Sequence, residues 1–191
     1  SAKFCWEGVI EESLLPLTAY PRGEVRNEAL QIVNWRSRKR SGSVSAIEKA
    51  LEHEDGMTRF FAAEGLALLG RKDGLSVLLS SVELLPELDL RRRAIKALGA
   101  LGDQQALDLL LGFINESGHA LQEEAAEALG HMSHTDQSEN VFKILSKLAQ
   151  GSYGVALSAM KGLRYFNTDQ AWNKLRERYQ DSSWVVRQHI A

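Results

Sequence analysis

Three groups of residues in this 191-residue chain have the types and spacing to do chemistry. His131, His134 and Asp136 stand where a helix should end, and histidines three apart can share a helical face and grip a transition metal. No third ligand of fixed geometry accompanies them, so the expectation is a polar turn with exposed imidazoles and no metal. Ser158-Ala-Met-Lys161 has the S-x-x-K spacing in which a lysine activates a serine nucleophile at a helix start. Here the tetrad falls in mid-helix, without the companion S-D-N and K-T-G elements, and reads as coincidence. Trp35 beside Arg36, Arg38, Lys39 and Arg40 could hold phosphates and stack a base, as single-strand nucleic-acid binders do. A helix C-terminus favours the same cations through its dipole alone. Neither G-x-x-x-x-G-K-[ST] nor G-x-G-x-x-G occurs, so a nucleotide lacks its usual phosphate cradle. The residues point away from an enzyme, and no cofactor is expected.

The elements that carry these residues are helices throughout. Only three prolines interrupt the chain, and apolar residues recur at spacings of three and four almost everywhere, which leaves strands no place. Self-similarity is plain: V-R-N-E-A-L-Q-I-V from Val25, T-R-F-F-A-A-E-G-L from Thr58, L-R-R-R-A-I-K-A-L-G from Leu90, L-Q-E-E-A-A-E-A-L-G from Leu121, V-A-L-S-A-M-K-G-L from Val155 and V-R-Q-H-I-A from Val186. The starts differ by 33, 32, 31, 34 and 31 residues, a repeat period. Each unit continues into a second amphipathic stretch, as in Leu75, Leu78, Leu79 and Val82, then Leu107, Leu110, Leu111 and Ile114, then Val141, Ile144, Leu145 and Leu148. Small residues inside the first helices (Ala63 and Gly65, Ala94 and Ala97, Ala125 and Ala128, Ala159 and Gly162) let neighbouring helices approach closely. Gly70 and Gly102 are placed to end helices in the left-handed conformation. The unit is a helical hairpin.

The block A-x-x-A-L-G-x-L-G-D followed by x-x-A-x-x-x-L-L, best seen from Leu90 to Ile114 and from Leu121 to Leu148, resembles the HEAT repeat, in particular the short bacterial type of phycobilin lyases. The resemblance implies an all-α, α-α superhelix: a HEAT-like solenoid of about five helical-hairpin repeats, forming one domain over residues 1–191. Repeats are expected to start near 23, 56, 88, 119 and 153, with a half-repeat at 3–15 and a truncated repeat at 184–191, as in a section cut from a longer protein. Repeat five departs from the pattern at Gly162, Tyr165 and Asn167. The chain also resembles deoxyhypusine hydroxylase in fold, a family that places His-Glu pairs in several first helices. The equivalent pairs here are Phe60-Phe61, Arg92-Arg93, Glu123-Glu124 and Leu157-Ser158, which cannot assemble a mixed histidine and carboxylate shell.

In this family the second helices line the concave face. With Val44, Leu75, Leu107, Val141 and Trp172 taken as equivalent core anchors, the outward positions are those one, two, five and six residues further on. They offer Val77, Leu109, Phe113 and Phe142 as an apolar trough and Lys143, Lys147, Lys174 and Arg178 as a basic ramp. Such a groove suits a peptide or helix of partly acidic character, with apolar anchors supplying affinity and lysines supplying orientation. The expected function is a non-enzymatic protein-protein interaction scaffold. The alternative, resembling the HEAT-like alkylpurine DNA glycosylases, is a nucleic-acid-binding module with Trp35, Arg36, Arg38, Lys39 and Arg40 on phosphates. Twenty-three Lys and Arg against 25 Asp and Glu, and the acidic stretch from Glu116 to Asp136, weigh against a continuous phosphate track. A single cysteine and the lack of an apolar run near the ~18 residues of a membrane span place the expected protein in the cytoplasm, off the membrane.

Overall fold

A computed structural model describes residues 14–37, 42–115, 121–151 and 153–181, leaving aside the side chains of 34–37, 42–43, 153, 178–179 and 181; among the described residues it contains ten α-helices and two 3-10 turns. The expected half-repeat at 3–15, all but its last two residues, and the truncated repeat at 184–191 lie outside the described residues. The helices are α1 (Gly23–Ser37), α2 (Gly42–Ala50), α3 (Gly56–Leu68), α4 (Leu75–Leu84), α5 (Leu88–Leu101), α6 (Gln104–Asn115), α7 (Gln122–Gly130), α8 (Ser138–Leu148), α9 (Tyr153–Arg164) and α10 (Asp169–Asp181). The 3-10 turns are Pro16–Ala19 and His131–His134. Two compact units contain them, Ser1–Leu85 and Pro86–Ala191.

In the N-terminal unit, first helix α1 packs on first helix α3, and α2 and α4 pack on α3. The join between repeats is polar. Arg26 is buried, and its guanidinium donates to Thr58 Oγ1 (2.6 Å), to Asp55 Oδ2 (3.1 Å) and to the carbonyl of Tyr20 (2.8 Å). Asp55 caps α3 by accepting from the Thr58 amide at 3.0 Å. The fully buried Thr58 hydroxyl lies 2.5 Å from Asp55 Oδ2 and 2.9 Å from Asn27 Oδ1, and it donates its one proton to the nearer, charged oxygen. The Thr58 hydroxyl bond is the largest cause, ahead of the Thr58 amide and Arg26, that holds the Asp55 carboxyl at about 2 against the opposing effect of burial.

In the C-terminal unit the first helices α5, α7 and α9 lie side by side with α7 in the middle. Their small residues do what the sequence pattern requires: Ala94, Ala97, Ala125, Ala128, Ala159 and Gly162 are all buried. The approach of α7 to α9 is closest at Gly130, where a methyl group would run into the Gly162 backbone. At Gly162 itself a methyl group would stand 3.0 Å from the Ala126 carbonyl oxygen and 3.2 Å from Leu145, a tight fit rather than a backbone collision. Helix α5 ends at Gly102 with φ 61°, the left-handed cap that alanine adopts only under strain. Gly70 adopts φ 74°, as expected. The first helices of successive repeats begin at Gly23, Gly56, Leu88, Gln122 and Tyr153.

Candidate functional site

The outward face of each second helix follows from which of its residues are buried. In α6 the buried stripe is Ala106, Leu107, Leu110 and Phe113, and in α4 it is Leu78, Ser81 and Val82. Both stripes are rotated toward the i+3, i+6 side of the assumed anchors. The position six residues after the anchor therefore turns inward in the first three repeats, at Ala50, Ser81 and Phe113. In α8 the stripe is Val141 and Leu145 with Ala149 one turn on, rotated the other way. There the corresponding residue, Lys147, is exposed. A hundred degrees per residue makes this difference of one position decide which side chains face solvent.

Two expectations are corrected by that rotation. Phe113 is 8% exposed and belongs to the core of the C-terminal unit rather than to a groove. Trp172 is not a core anchor: it is 43% exposed, and Ala171 and Leu175, an i, i+4 pair, take the buried side of α10. Of the other expected groove residues, Val77 and Leu109 are half-buried. Val77 lies in the N-terminal unit, where its carbonyl accepts from Ser81 Oγ at 2.6 Å. The basic ramp is largely neutralised within its own helices. Lys143 Nζ sits 2.7 Å from Glu139 and Lys174 Nζ 2.9 Å from Glu177. Lys147 has no ion pair among the described residues, and the Arg178 side chain lies outside them.

An aromatic surface is gathered where repeat five departs from its pattern. Phe142 on α8 meets Phe166 edge to face, ring centroids 5.5 Å apart. Asn167, at φ 47°, takes the left-handed turn that starts the α9–α10 connection, and its Oδ1 accepts from Trp172 Nε1 at 3.4 Å. On the other side of the same turn, Tyr165 packs against His131 with centroids 4.1 Å apart and the rings tilted by 43°, and its carbonyl accepts from Ser133 Oγ. Residues 165–172 thus carry Phe166, which packs on Phe142 of α8, and the exposed Trp172, which is held to the turn through Asn167. The sequence signal was available: repeat five breaks the A-L-G pattern with two aromatics and an asparagine.

In the N-terminal unit the outward residues Ser45, Ala46 and Lys49 of α2 line a recess of about 370 Å3 with Leu15, Thr18 and Ala19 of the first 3-10 turn. Trp35 and Arg36 lie in α1 with their side chains outside the described residues, and Arg38, Lys39 and Arg40 lie outside them altogether.

The chemical candidates are occupied by the fold. Ser158 is buried in α9. Burial of His131, reinforced by Lys96 and opposed by Glu127, holds its imidazole below the ordinary 6.5. Glu124 lies 2.7 Å from Arg92 Nε, close enough for an ion pair although the N–H is not aimed at the carboxylate. Arg92 also pairs with Asp89 at 3.2 Å. Among the described residues no three His, Cys, Asp or Glu side chains gather as a metal site, and no helix is long and apolar enough to cross a membrane.

Stacked helical hairpins with small residues at the first-helix contacts define an all-α helical-repeat protein. Residues 81–156 match the family described as HEAT repeats, and that segment is HEAT-repeat sequence. The chain is similar in structure to the CpcE and CpcF complex of phycocyanin lyase from Nostoc sp. PCC7120, with TM-score 0.61 and 20% identity over 93% of this chain and 73% of that one. It is also similar to an engineered protein solved by the Northeast Structural Genomics Consortium, with TM-score 0.59 and 17% identity over 95% and 93% of the two chains. Among curated proteins none matches.

Proposed function

We propose that this chain is a protein-interaction scaffold whose partner docks on the second-helix face of the C-terminal unit, around Phe142, Phe166 and Trp172. The single observation that carries the reading is Trp172. It is a large aromatic with 43% of its surface exposed, tethered through Asn167 to the turn that also carries Phe166, which packs on Phe142. Rigid aromatics in a small cluster are the usual energetic centres of protein interfaces. Lys147 orients an acidic group on the partner, whereas Lys143 and Lys174 already have carboxylates and contribute less than a free basic ramp would. The partner is therefore a peptide or helix bound through apolar anchors first and charge second. A chain of the same fold is found in a two-protein assembly in the phycocyanin lyase complex, which is in keeping with this reading.

The test is capture of partners from native lysate on the immobilised protein, with and without nuclease. A nuclease-resistant protein partner retained by the wild type, lost with Trp172→Ala and weakened with Lys147→Glu, supports the reading. A partner unaffected by Trp172→Ala moves the interface elsewhere, and recovery only through nucleic acid replaces the scaffold by the nucleic-acid module.

A further inference from the structure

The turn after α9 that presents Phe166 to the second-helix side also shapes a recess on the first-helix side. Its volume is about 490 Å3, within the range that encloses a small-molecule ligand, and its lining is Glu127, Lys161, Arg164 and Tyr165. One wall is aromatic: the Tyr165 ring, 41% exposed, backed by the His131 imidazole at 4.1 Å. The other wall is charged. Lys161 Nζ lies 3.8 Å from Glu127 Oε2 and is partly satisfied. Arg164 is exposed and has no hydrogen bond or ion pair among the described residues. With His131 neutral at neutral pH, two cations and one carboxylate leave the recess with a surplus positive charge beside a flat π-surface.

We propose that this recess is a binding site for an aromatic anion, its ring against Tyr165 and its carboxylate or phosphate on Arg164 and Lys161. Neither wall suffices alone. An inorganic anion gains only one exposed guanidinium and a lysine already shared with Glu127, and an uncharged ring gains only one face. A guanidinium binds an oxyanion with two parallel donors, and stacking fixes the orientation of the ring that carries it. The site is separate from the surface assigned to a protein partner and does not depend on it.

The experiment is a calorimetric titration of the intact chain at low salt with phenyl phosphate, benzoate, inorganic phosphate and acetate. Either aryl anion is expected to bind about tenfold more tightly than its inorganic or aliphatic counterpart, and the tighter of the two identifies the anion. Arg164→Ala should weaken that binding by about tenfold. Tyr165→Ala should bring the aryl anion down to the level of the simple one, while Tyr165→Phe, which keeps the ring, should leave it unchanged. Glu127→Gln should strengthen binding by a few-fold, because it removes the competitor for Lys161. Equal binding of aryl and simple anions, or an Arg164→Ala affinity equal to the wild type, overturns the proposal. Melting curves of each variant separate loss of the site from loss of the fold.

Discussion

At the scale of single residues, the most informative side chain is one that composition makes look ordinary. Arg26 occupies the second position of the repeated V-R-N-E-A block, and burial there is tolerated because each of its three guanidinium nitrogens has an acceptor. The equivalent residue of the next repeat, Arg59, donates to the carbonyls six and five residues before it, His53 and Glu54. Arg26 does the same to Tyr20 and Pro21 at the same offsets. Gln122, at that position in the fourth repeat, donates to the Ile114 carbonyl. A long donor here ties the preceding segment, whether turn or helix end, to the first helix. Arg26→Ala leaves Asp55, Thr58 and two carbonyls short of a donor and should cost about 2–3 kcal/mol in urea unfolding. Asp55 gives a pH signature of known sign. Its carboxyl is held at about 2 instead of 3.8, so the unfolded chain binds a proton before the folded one does. The stabilisation is complete above pH 3.8 and is lost as pH falls toward about 2; Asp55→Asn should flatten acid unfolding across that window, measured by circular dichroism.

At the scale of helices, the period and the small-residue positions were legible because a first helix must approach its neighbours on both sides. Alanine or glycine is then the only solution, and its spacing shows in the sequence. The facing of the second helices was less legible. Such a helix buries one stripe, and stripes centred roughly 60° apart use overlapping sets of leucines: Leu107 and Leu110 fit either rotation of α6, and the burial of Ala106 and Phe113 decides between them. In α10 the apolar signal is weaker still, since Ala171 and Leu175 are the described buried positions and Trp172, the larger side chain, points outward. Two glycines test the packing. Gly130→Ala forces a methyl into the Gly162 backbone and should destabilise by about 1–3 kcal/mol. Gly112, inside α6 with nothing within 4 Å of where a methyl would stand, should behave oppositely. Gly112→Ala should raise stability by about 0.5–1 kcal/mol, because the unfolded chain loses freedom that the helix does not use. Thermal melts of both variants check the pair, and a loss at Gly112 would mean that the face is covered.

At the scale of the molecule, a helical-repeat chain has no central core, so stability is a sum of repeat and neighbour terms and function is written where repeats differ. The repeated part of each unit explains the fold and says nothing of the partner; the aberrant turn at 165–167 says more than the regular blocks together. This separation predicts that damage to folding and damage to binding fall on different residues of the same unit. Leu110 is fully buried in α6, which packs on both α5 and α7. Leu110→Asp places a charge there without a partner, at a cost of more than about 3 kcal/mol. Because α7 also supports α9, the loss should spread, and hydrogen exchange should show protection falling across α5, α7 and α9 rather than in α6 alone. Lys147→Glu and Trp172→Ala touch side chains that solvent already reaches and should shift unfolding by less than about 1 kcal/mol, with the exchange pattern unchanged. If Trp172→Ala instead loosened α9 and α10 as Leu110→Asp loosens α5 and α7, the tryptophan would be a structural buttress and its exposure incidental. An unchanged exchange map together with lost partner binding assigns Trp172 to recognition.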